Sequence, residues 1–406
     1  MSERKLGVPF ITRVALRNYK SIGRCEVPLG NLTFLVGLNG SGKSNFLDAL
    51  RFVSDAVRFS LDHALRDRGG INEVRRRSKR GHPRHFGIRL DYKLPNGRFG
   101  YYAFEIAART AGGYEVKQEE CLIAGGESEP TTSYQVSQGR VLESTLPKPP
   151  PAARDRLYLV NVSGFEQFRD FYDAIVQMGF YNLNPDAIRD LQTPDPGELL
   201  KRDGSNLASV FARLSLRAPE VAKRIEEYLS KVVPAVSSVR PRTVGPKETL
   251  EFRQEVTGSK HPWRFLASSM SDGTLRALGL LVALFQGGSE NGSVPLVGIE
   301  EPEVALHPAA AGVLTDSLRE ASQTRQVLVT SHSPDLLDDK EVSDTSIRAV
   351  ISIDGETRIG ELDLAGRQAL REHLYTAGEL LRLEQLRPDP EALARADQLG
   401  LFGTRA

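Results

Sequence analysis

The hydrophobic residues near the start of the chain form two short runs and then a helical repeat. Ile11–Leu16 is rich in apolar residues, and Leu32–Val36 is a continuous apolar run of the kind found in strands buried on both faces. From Phe46 to Val57, apolar residues recur at the three- and four-residue spacing of an amphipathic helix. The pattern predicts strand, strand, loop and helix over the first 60 residues.

The pattern changes along the rest of the chain. Residues 87–134 alternate apolar and polar positions between glycine turns, which predicts a meander of antiparallel strands. Residues 165–233 have helical spacing without a sustained heptad repeat, so no long coiled-coil arm is expected. Two further apolar runs, Leu296–Ile299 and Val327–Thr330, flank a predicted helix at 309–322. The sequence thus indicates a second α/β section after the helical region.

Composition and charge narrow the class of protein. The 406 residues are 40% hydrophobic and 26% charged, which is sufficient for a buried core and excludes wholesale disorder. The 53 basic and 52 acidic residues give a net charge of +1, which argues against a protein that coats nucleic acid by bulk electrostatics. Cys25 and Cys121 are too few for a disulfide framework, and no apolar run is long enough to span a membrane, so a cytoplasmic location is expected.

The strongest chemical signal is a phosphate-binding loop at Gly37–Ser44, GLNGSGKS. It matches G-x-x-x-x-G-K-[ST] between an apolar strand and an amphipathic helix, which is the context that the motif requires. Its glycines allow backbone N–H groups to turn toward an anion at the positive end of the helix. Lys43 is expected to reach the β- and γ-phosphates, and the Ser44 hydroxyl is expected to bind magnesium.

The two later apolar runs lead into polar residues, Glu300 and Glu301 after the first and His332 after the second. Acids at the carboxyl end of a parallel strand face the ligand crevice of an α/β sheet. We therefore expect Glu300 to approach magnesium and Glu301 to approach an attacking water. His332 has two interpretations: a partner for a γ-phosphate or the water, or a structural histidine that caps the following helix.

Ser271 and Gly273 stand in the stretch SDGT, immediately before an apolar helix. A serine at this position is an ordinary helix N-cap, but a Ser–Gly pair also offers a hydroxyl and N–H groups to an anion. Their place in the chain, between the phosphate-binding loop and Glu300, favours the second interpretation.

The order of these motifs resembles that of the ABC-type ATPases: Walker A, then a signature, then a Walker B strand and a switch histidine. More narrowly, the chain resembles the bacterial SMC/RecF/OLD class of AAA family ATPases, many of which are encoded in defence gene clusters. The stretches RNYKSIG, GLNGSGKSNFLDAL, DGSNLASV and EEPEVALHP carry the resemblance, which covers most of the chain.

The resemblance implies a role for each matched residue. Glu301 would be the catalytic glutamate, Lys43 and His332 would be the other catalytic residues, and Ser44 and Glu300 would bind magnesium. ATP would be bound by the Walker A residues of one protomer and by the signature residues of the other, in a dimer that sandwiches the nucleotide. These ATP-binding residues are Asn39, Gly40, Ser41, Gly42, Lys43, Ser44, Asn45, Ser271 and Gly273.

The sequence departs from the family pattern in three ways. Glu300 replaces the usual aspartate, the signature reads MSDGT rather than LSGGQ, and no Q-loop glutamine can be placed. In addition, Lys43 and Ser271 are 228 residues apart, which exceeds the spacing of a transporter subunit. The segment between these two motifs is therefore expected to hold the partner specificity.

The predicted fold class is accordingly α/β, an ABC-type P-loop ATPase head with an antiparallel meander and a helical insert between Walker A and the signature. The predicted segments are ATPase lobe I at 1–90, the meander with a proline connector at 91–160, the helical insert at 161–260, ATPase lobe II at 261–350 and a C-terminal helical extension at 351–406.

Arg66–Arg89 concentrates positive charge. It holds nine basic and two acidic residues, a local net charge of +7, so the rest of the chain carries −6. Three interpretations remain open: a solvated surface loop, a salt-sensitive contact with DNA or RNA, and docking to an acidic protein partner.

We therefore expect a Mg²⁺-dependent ATPase that dimerises around ATP and couples its nucleotide state to nucleic acid or to a separate nuclease effector, in antiphage defence. The alternative is a RecF/SMC-like ATPase of DNA repair or chromosome maintenance, which would show DNA-stimulated turnover. An ABC transporter motor is less favoured, because the large insert replaces the expected motif spacing.

Overall fold

The computed structural model describes residues 9–78, 81–125, 130–287, 294–398 and 400–403. One large mixed sheet runs through it, in the strand order β8-β7-β6-β5-β4-β1-β2-β16-β15-β3-β14-β13-β9, and a second sheet has the order β10-β11-β12. The strands are β1 (Ile11–Tyr19), β2 (Ile22–Pro28), β3 (Leu32–Val36), β4 (His85–Lys93), β5 (Phe99–Ala108), β6 (Tyr114–Ala124), β7 (Thr132–Ser137), β8 (Arg140–Ser144), β9 (Gly179–Tyr181), β10 (Val236–Val244), β11 (Lys247–Gln254), β12 (Trp263–Leu266), β13 (Leu296–Glu300), β14 (Gln326–Ser331), β15 (Ile347–Ile353) and β16 (Glu356–Gly360).

The centre of the large sheet is parallel and covered on both faces. Strands β15, β3, β14, β13 and β9 pair in parallel with their neighbours. Consecutive residues point to opposite faces of a strand. Phe34 and Leu35 of β3 are accordingly both fully buried, but they belong to different hydrophobic cores. Burial on both faces explains why these strands are continuous apolar runs in the sequence.

Helices form the layers on the two faces of the sheet. Helix α1 packs with α5 and the meander strands in one core, and α7 to α10 pack in the other. The helices are α1 (Lys43–Arg58), α2 (Leu61–Arg66), α3 (Ile71–Val74), α4 (Tyr158–Val162), α5 (Glu166–Val176), α6 (Pro185–Arg189), α7 (Leu207–Arg217), α8 (Pro219–Val232), α9 (Asp272–Phe285), α10 (Ala311–Ser322), α11 (Pro334–Leu337), α12 (Leu364–Arg371), α13 (Ala377–Arg382) and α14 (Pro390–Gln398).

The α/β class, the early strands, the meander and the helix at α1 are confirmed. The meander strands β4 to β8 continue the large sheet, because β4 pairs with β1. The secondary structure predicted for two segments was wrong. The segment at 161–260 is not wholly helical, since it includes β9, β10 and β11, and the segment at 351–406 begins with strand residues of β15 and with β16. Three apolar residues in β9 and charged alternation in β10 gave too weak a strand pattern.

The division of the chain into five segments stays a prediction. Among the helices that the structure describes, none has both the length and the apolar content needed to cross a membrane.

Candidate functional site

The strands that lead into the predicted motifs are neighbours, in the order β3, β14, β13. They run in parallel, so their carboxyl ends meet at one edge of the sheet. The phosphate-binding loop follows β3, His332 follows β14, and Glu300 and Glu301 stand at the end of β13. Ligands of open α/β sheets bind at this kind of edge.

The phosphate-binding loop has a backbone that requires glycine at three positions. Gly40 and Gly42 have φ angles of 76° and 102°, in the left-handed region that favours glycine. A Cβ atom on Gly37 would lie 2.0 Å from a backbone carbonyl oxygen of β15, and one on Gly42 would lie 2.0 Å from Oγ1 of Thr357. Helix α1 begins directly after the loop, and no side chain caps its first turn. The N–H groups of Lys43 and Ser44, at the start of that turn, are therefore available to an anion, whereas those of Asn45 and Phe46 donate to the Gly42 carbonyl.

Lys43 lies inside the loop. Its Nζ donates hydrogen bonds to the carbonyl oxygens of Gly37 at 2.8 Å and Leu38 at 3.0 Å. Burial lowers the pKa of the Lys43 ammonium group, and the negative charges of Glu301 and Glu303 oppose that shift. The ammonium group is thus held by neutral carbonyl groups within electrostatic reach of the Walker B acids.

The remaining loop residues fit a phosphate group and a magnesium ion. Asn39, Gly40 and Ser44 are exposed at the surface of the loop. The Oγ of Ser41 is buried and has no hydrogen-bond partner within the described ranges. A buried hydroxyl without a partner normally has an explanation, and a phosphate oxygen in the loop would supply one. The exposed Ser44 hydroxyl, on the first turn of α1, is a suitable magnesium ligand.

Asn45 is connected to the loop backbone by a chain of hydrogen bonds. Its Nδ2 donates to Ser21 Oγ at 2.7 Å, and Ser21 Oγ lies 2.7 Å from Thr357 Oγ1. Thr357 in turn donates to the carbonyl oxygen of Ser41 at 2.8 Å. This chain of bonds uses one N–H of the Asn45 amide, and nucleotide binding by Asn45 stays a prediction. Sequence reasoning missed Thr357, because more than 300 residues separate it from the loop.

Glu300 is the last residue of β13, and an arginine holds its side chain. Arg202 Nη2 donates to Glu300 Oε1 at 2.7 Å. The turn that carries Arg202 is joined to the residue after β9, because the N–H of Asn182 donates to the Arg202 carbonyl at 3.0 Å. Asn182 is exposed at the same edge of the sheet, since β9 pairs in parallel with β13. Sequence reasoning gave no role to either residue, although Arg202 immediately precedes the DGSN stretch.

Glu301 turns out of the strand toward His332. Its φ of 44° is left-handed, and its N–H donates to the carbonyl oxygen of Thr330 at 3.0 Å. The Glu301 Oε1 atom lies 3.2 Å from Nδ1 of His332. If Nδ1 carries the proton, His332 donates to the carboxylate and its Nε2 remains an acceptor. The structure therefore brings together the predicted catalytic glutamate and the switch histidine.

Glu303 is the third carboxylate of this cluster, and it is hydrogen-bonded to the end of β14. Its Oε1 accepts a bond from Ser331 Oγ at 2.7 Å and from the N–H of His332 at 3.3 Å. These bonds connect the chain after Walker B to the end of β14. Glu303 belongs to the EEPE stretch, and its bonds orient the segment that carries Glu301 and His332.

The signature residues lie at the start of α9. Ser271 is the N-cap, with Oγ accepting from the N–H of Thr274, and it is exposed. A Cβ on Gly273 would lie 2.5 Å from the carbonyl oxygen of Ala305, whose own φ is 66°. Gly273 thus allows the helix to pack closely on residues 305–307, the segment that the family resemblance implies is the D-loop. In the part of the chain that the structure describes, no hydrogen bond joins Ser271 or Gly273 to the phosphate-binding loop.

The basic run Arg66–Arg89 is largely engaged within the chain. Arg84 is exposed and has no ion pair with any described residue, while Lys79 and Arg80 lie outside the described residues. The other contacts are Arg66 with Asp62, Arg68 with Asp48 and Asp55, Arg75 with the Pro83 carbonyl, Arg76 with Glu356, Arg77 with Glu73, and Arg89 with Asp91. Five of the nine basic side chains therefore pair with carboxylates, although Arg66 and Arg77 are still 79% and 63% exposed.

Comparison with known proteins supports the same fold. Residues 32–338 match the family described as "AAA domain, putative AbiEii toxin, Type IV TA system". A solved SMC head bound to the C-winged helix domain of ScpA has a TM-score of 0.53 and 15% identity, over 88% of this chain and 99% of that one. The Pyrococcus furiosus Smc head domain with an extended coiled coil, bound to the C-terminal domain of ScpA, has a TM-score of 0.55 and 14% identity, over 90% and 99%. A search of curated proteins found no match.

The family match covers well over half of the chain and includes Walker A, the signature, Walker B and the switch histidine. At the identities quoted, the SMC heads show the fold alone. The chain therefore belongs to this AAA-domain family, and it has the ABC-type P-loop fold of an SMC head.

Proposed function

We propose that this chain binds ATP with Mg²⁺ and hydrolyses it. The observation that carries the proposal is the contact between Glu301 and His332, 3.2 Å apart, at the sheet edge where Lys43 lies in its loop. A phosphate cradle, a cation for the phosphates and an oriented carboxylate for the water are the parts that phosphoryl transfer to water needs.

Each residue has a distinct function in this proposal. Lys43 leaves the loop carbonyls to contact the β- and γ-phosphates, and Ser44 and Glu300 hold the magnesium ion. When bound, magnesium neutralises charge on the phosphate oxygens. Glu301 accepts the proton of the attacking water, and His332 fixes the orientation of that carboxylate.

The exposed signature supports a dimer that sandwiches ATP. Among the described residues, no hydrogen bond joins Ser271 to the Walker A loop of its own chain, and Ser271 is exposed at the start of α9, where helix N–H groups can bind an anion. A second copy that supplied Ser271 and Gly273 to the γ-phosphate would give them a ligand.

We favour a protein effector over nucleic acid as the partner of this ATPase. The matched family is described as a toxin of a toxin–antitoxin system, and both solved SMC heads are bound to a domain of ScpA. Five of the nine basic residues of the Arg66–Arg89 run pair with acids, which weakens the case for a DNA contact there. A separate effector, such as a nuclease acting in antiphage defence, fits this combination.

The test is nucleotide binding by Lys43→Ala, with Lys340→Ala as the control at an exposed lysine. Lys43→Ala should weaken Mg²⁺–ATP binding at least tenfold, because a charge-assisted contact to phosphate is lost (~1.5–3 kcal/mol). Lys340→Ala should bind as the wild type does. Equal affinity in Lys43→Ala and the wild type would refute the proposed site.

A further inference from the structure

The ion pair between Arg202 and Glu300 joins the Walker B acid to a segment outside every predicted motif. The Nη2–Oε1 distance is 2.7 Å, and the side chains are 44% and 21% exposed. An ion pair this accessible contributes little to folding stability, about 0–1 kcal/mol. The ion pair therefore bears more on function than on stability, because its acid, Glu300, is the predicted magnesium ligand.

The backbone at Arg202 is held firmly, so the contact is a built feature of the turn. The Arg202 carbonyl accepts from the N–H of Asn182, and the N–H of Lys201 donates to Asn206 Oδ1 at 2.8 Å. Gly204 has a φ of 81°, and a Cβ there would lie 2.7 Å from Ile188. These contacts fix the backbone around Arg202, so a change in its ion pair would involve movement of the side chain.

A second arginine from the same segment acts on another motif. Arg189, the last residue of α6, pairs with Asp272 at the start of the signature helix. The stretch between β9 and α7 therefore supplies one arginine to the Walker B acid and one to the signature. Such placement is expected of a segment that responds to the nucleotide site.

A guanidinium and a divalent cation compete for the same carboxylate. Glu300 has a lone-pair direction on Oε1 that Arg202 uses, and a magnesium ion or its water shell needs the carboxylate as well. Arg202 must release Glu300 before that carboxylate can bind the ion, so the ion pair opposes Mg²⁺ binding.

We infer that Arg202 is a positioning residue that competes with Mg²⁺ for Glu300. The inference rests on the proposed function, because it requires a nucleotide–magnesium site at Glu300. Arg202 thereby sets how much Mg²⁺ strengthens nucleotide binding.

The experiment measures binding of mant-ATPγS, a slowly hydrolysed fluorescent analogue, to the full chain in excess EDTA and in excess Mg²⁺. The readout is the Kd in EDTA divided by the Kd in Mg²⁺. In Arg202→Ala this ratio should rise about two- to fivefold, the size expected from loss of a half-exposed ion pair. Arg202→Lys, which keeps a charge without the planar fork, should fall between the two.

Two further variants separate the role of Arg202 from a general effect. Arg213→Ala removes an equally exposed arginine, 43% exposed and paired with Glu198 at 3.8 Å, and should leave the ratio unchanged. In a Glu300→Gln background, Arg202→Ala should no longer raise the ratio, because the shared partner is gone.

An unchanged or lower ratio in Arg202→Ala would overturn the inference, and so would the same rise in the Glu300→Gln background. Failure of the wild type to bind the analogue in either condition would overturn the proposed function together with the inference. The two failures are therefore distinguishable.

Discussion

At the scale of single residues, the phosphate-binding loop depends on a hydrogen-bond chain from a distant strand. Thr357 on β16 is buried and donates to the Ser41 carbonyl, and Ser21 and Asn45 extend the chain to α1. The same threonine lies against Gly42, where no side chain has room. Thr357 thus fixes the backbone of the loop, although it lies outside the motif and has no proposed role in catalysis.

Replacing Thr357 with valine keeps the volume and removes the hydroxyl. The Ser41 carbonyl would lose its bond, so we expect a loss of about 1–2 kcal/mol in the free energy of unfolding and nucleotide affinity about fivefold weaker. Thr357→Ser should retain both. Urea denaturation and mant-ATP titration measure the two effects, and wild-type behaviour of Thr357→Val in both would contradict this account of the loop.

At the scale of elements, Asp48 joins α1 to the segments on either side. It pairs with Lys20 of the β1–β2 turn at 2.5 Å and with Arg68, after α2, at 3.0 Å. Burial would raise the pKa of Asp48, but the charges of Arg68 and Lys20 outweigh it and hold the pKa well below the ordinary value of 3.8. Because the folded-state pKa is depressed, the stability that Asp48 contributes is present above about pH 4 and is lost as the pH falls.

Asp48→Asn should therefore lower the free energy of unfolding by about 2–4 kcal/mol at pH 7, since it leaves buried Arg68 short of a partner. The difference from the wild type should shrink as the pH falls from 4 to 3. Asp62→Asn, in an exposed pair with Arg66, should change stability by less than about 1 kcal/mol. Urea denaturation across this pH range is the measurement, and a difference independent of pH would contradict the assignment.

The contact between the signature helix and the D-loop is also a property of elements. Gly273→Ala would push a methyl group to 2.5 Å from the Ala305 carbonyl and separate α9 from residues 305–307. We expect ATP binding to persist while ATP-dependent self-association weakens at least fivefold, an estimate for one strained interface contact. Gly312→Ala on α10, where a Cβ meets nothing within 4 Å, is the matched control. Light scattering with ATP measures the outcome, and normal self-association of Gly273→Ala would be evidence against the role of the signature.

The elements that sequence predicted well are the ones with strong local patterns. Buried apolar runs gave β3, β13 and β14, and the glycine–lysine spacing gave the loop before α1. Contacts that depend on tertiary structure left no such pattern. Arg202 meets Glu300 across 98 residues, and Thr357 meets Ser41 across 316. The three residues of β9 are too few for a periodic signal, so the edge beside Walker B was also missed.

At the scale of the whole molecule, the chain has a net charge of +1 although the Arg66–Arg89 run has a local charge of +7. Acids elsewhere in the chain pair with the basic run, as Glu356 of β16 does with Arg76 at 2.5 Å. The positive segment therefore helps to hold the N-terminal and C-terminal parts of the large sheet together. The sequence does not reveal this contact, because Glu356 lies 280 residues from Arg76.

Double-stranded DNA should consequently change the rate of ATP hydrolysis by less than about twofold at low salt, where backbone contacts are strongest. Arg76→Ala should lower the melting temperature without changing that response. A colorimetric phosphate assay with and without a 30-base-pair duplex checks this. Stimulation that disappears at high salt and in Arg76→Ala would instead favour a DNA-repair ATPase.

The measurement that tests the central claim most directly is ATP turnover by Glu301→Gln, with binding and self-association followed in parallel. Glu341→Gln, in an exposed pair with Arg319 at 3.0 Å, is the control and should hydrolyse ATP normally. Glu301→Gln should bind Mg²⁺–ATP with affinity close to that of the wild type and accumulate as an ATP-bound dimer. Its turnover should fall about 10²–10⁴-fold, since the general base is lost. Hydrolysis by Glu301→Gln at the wild-type rate would contradict the account.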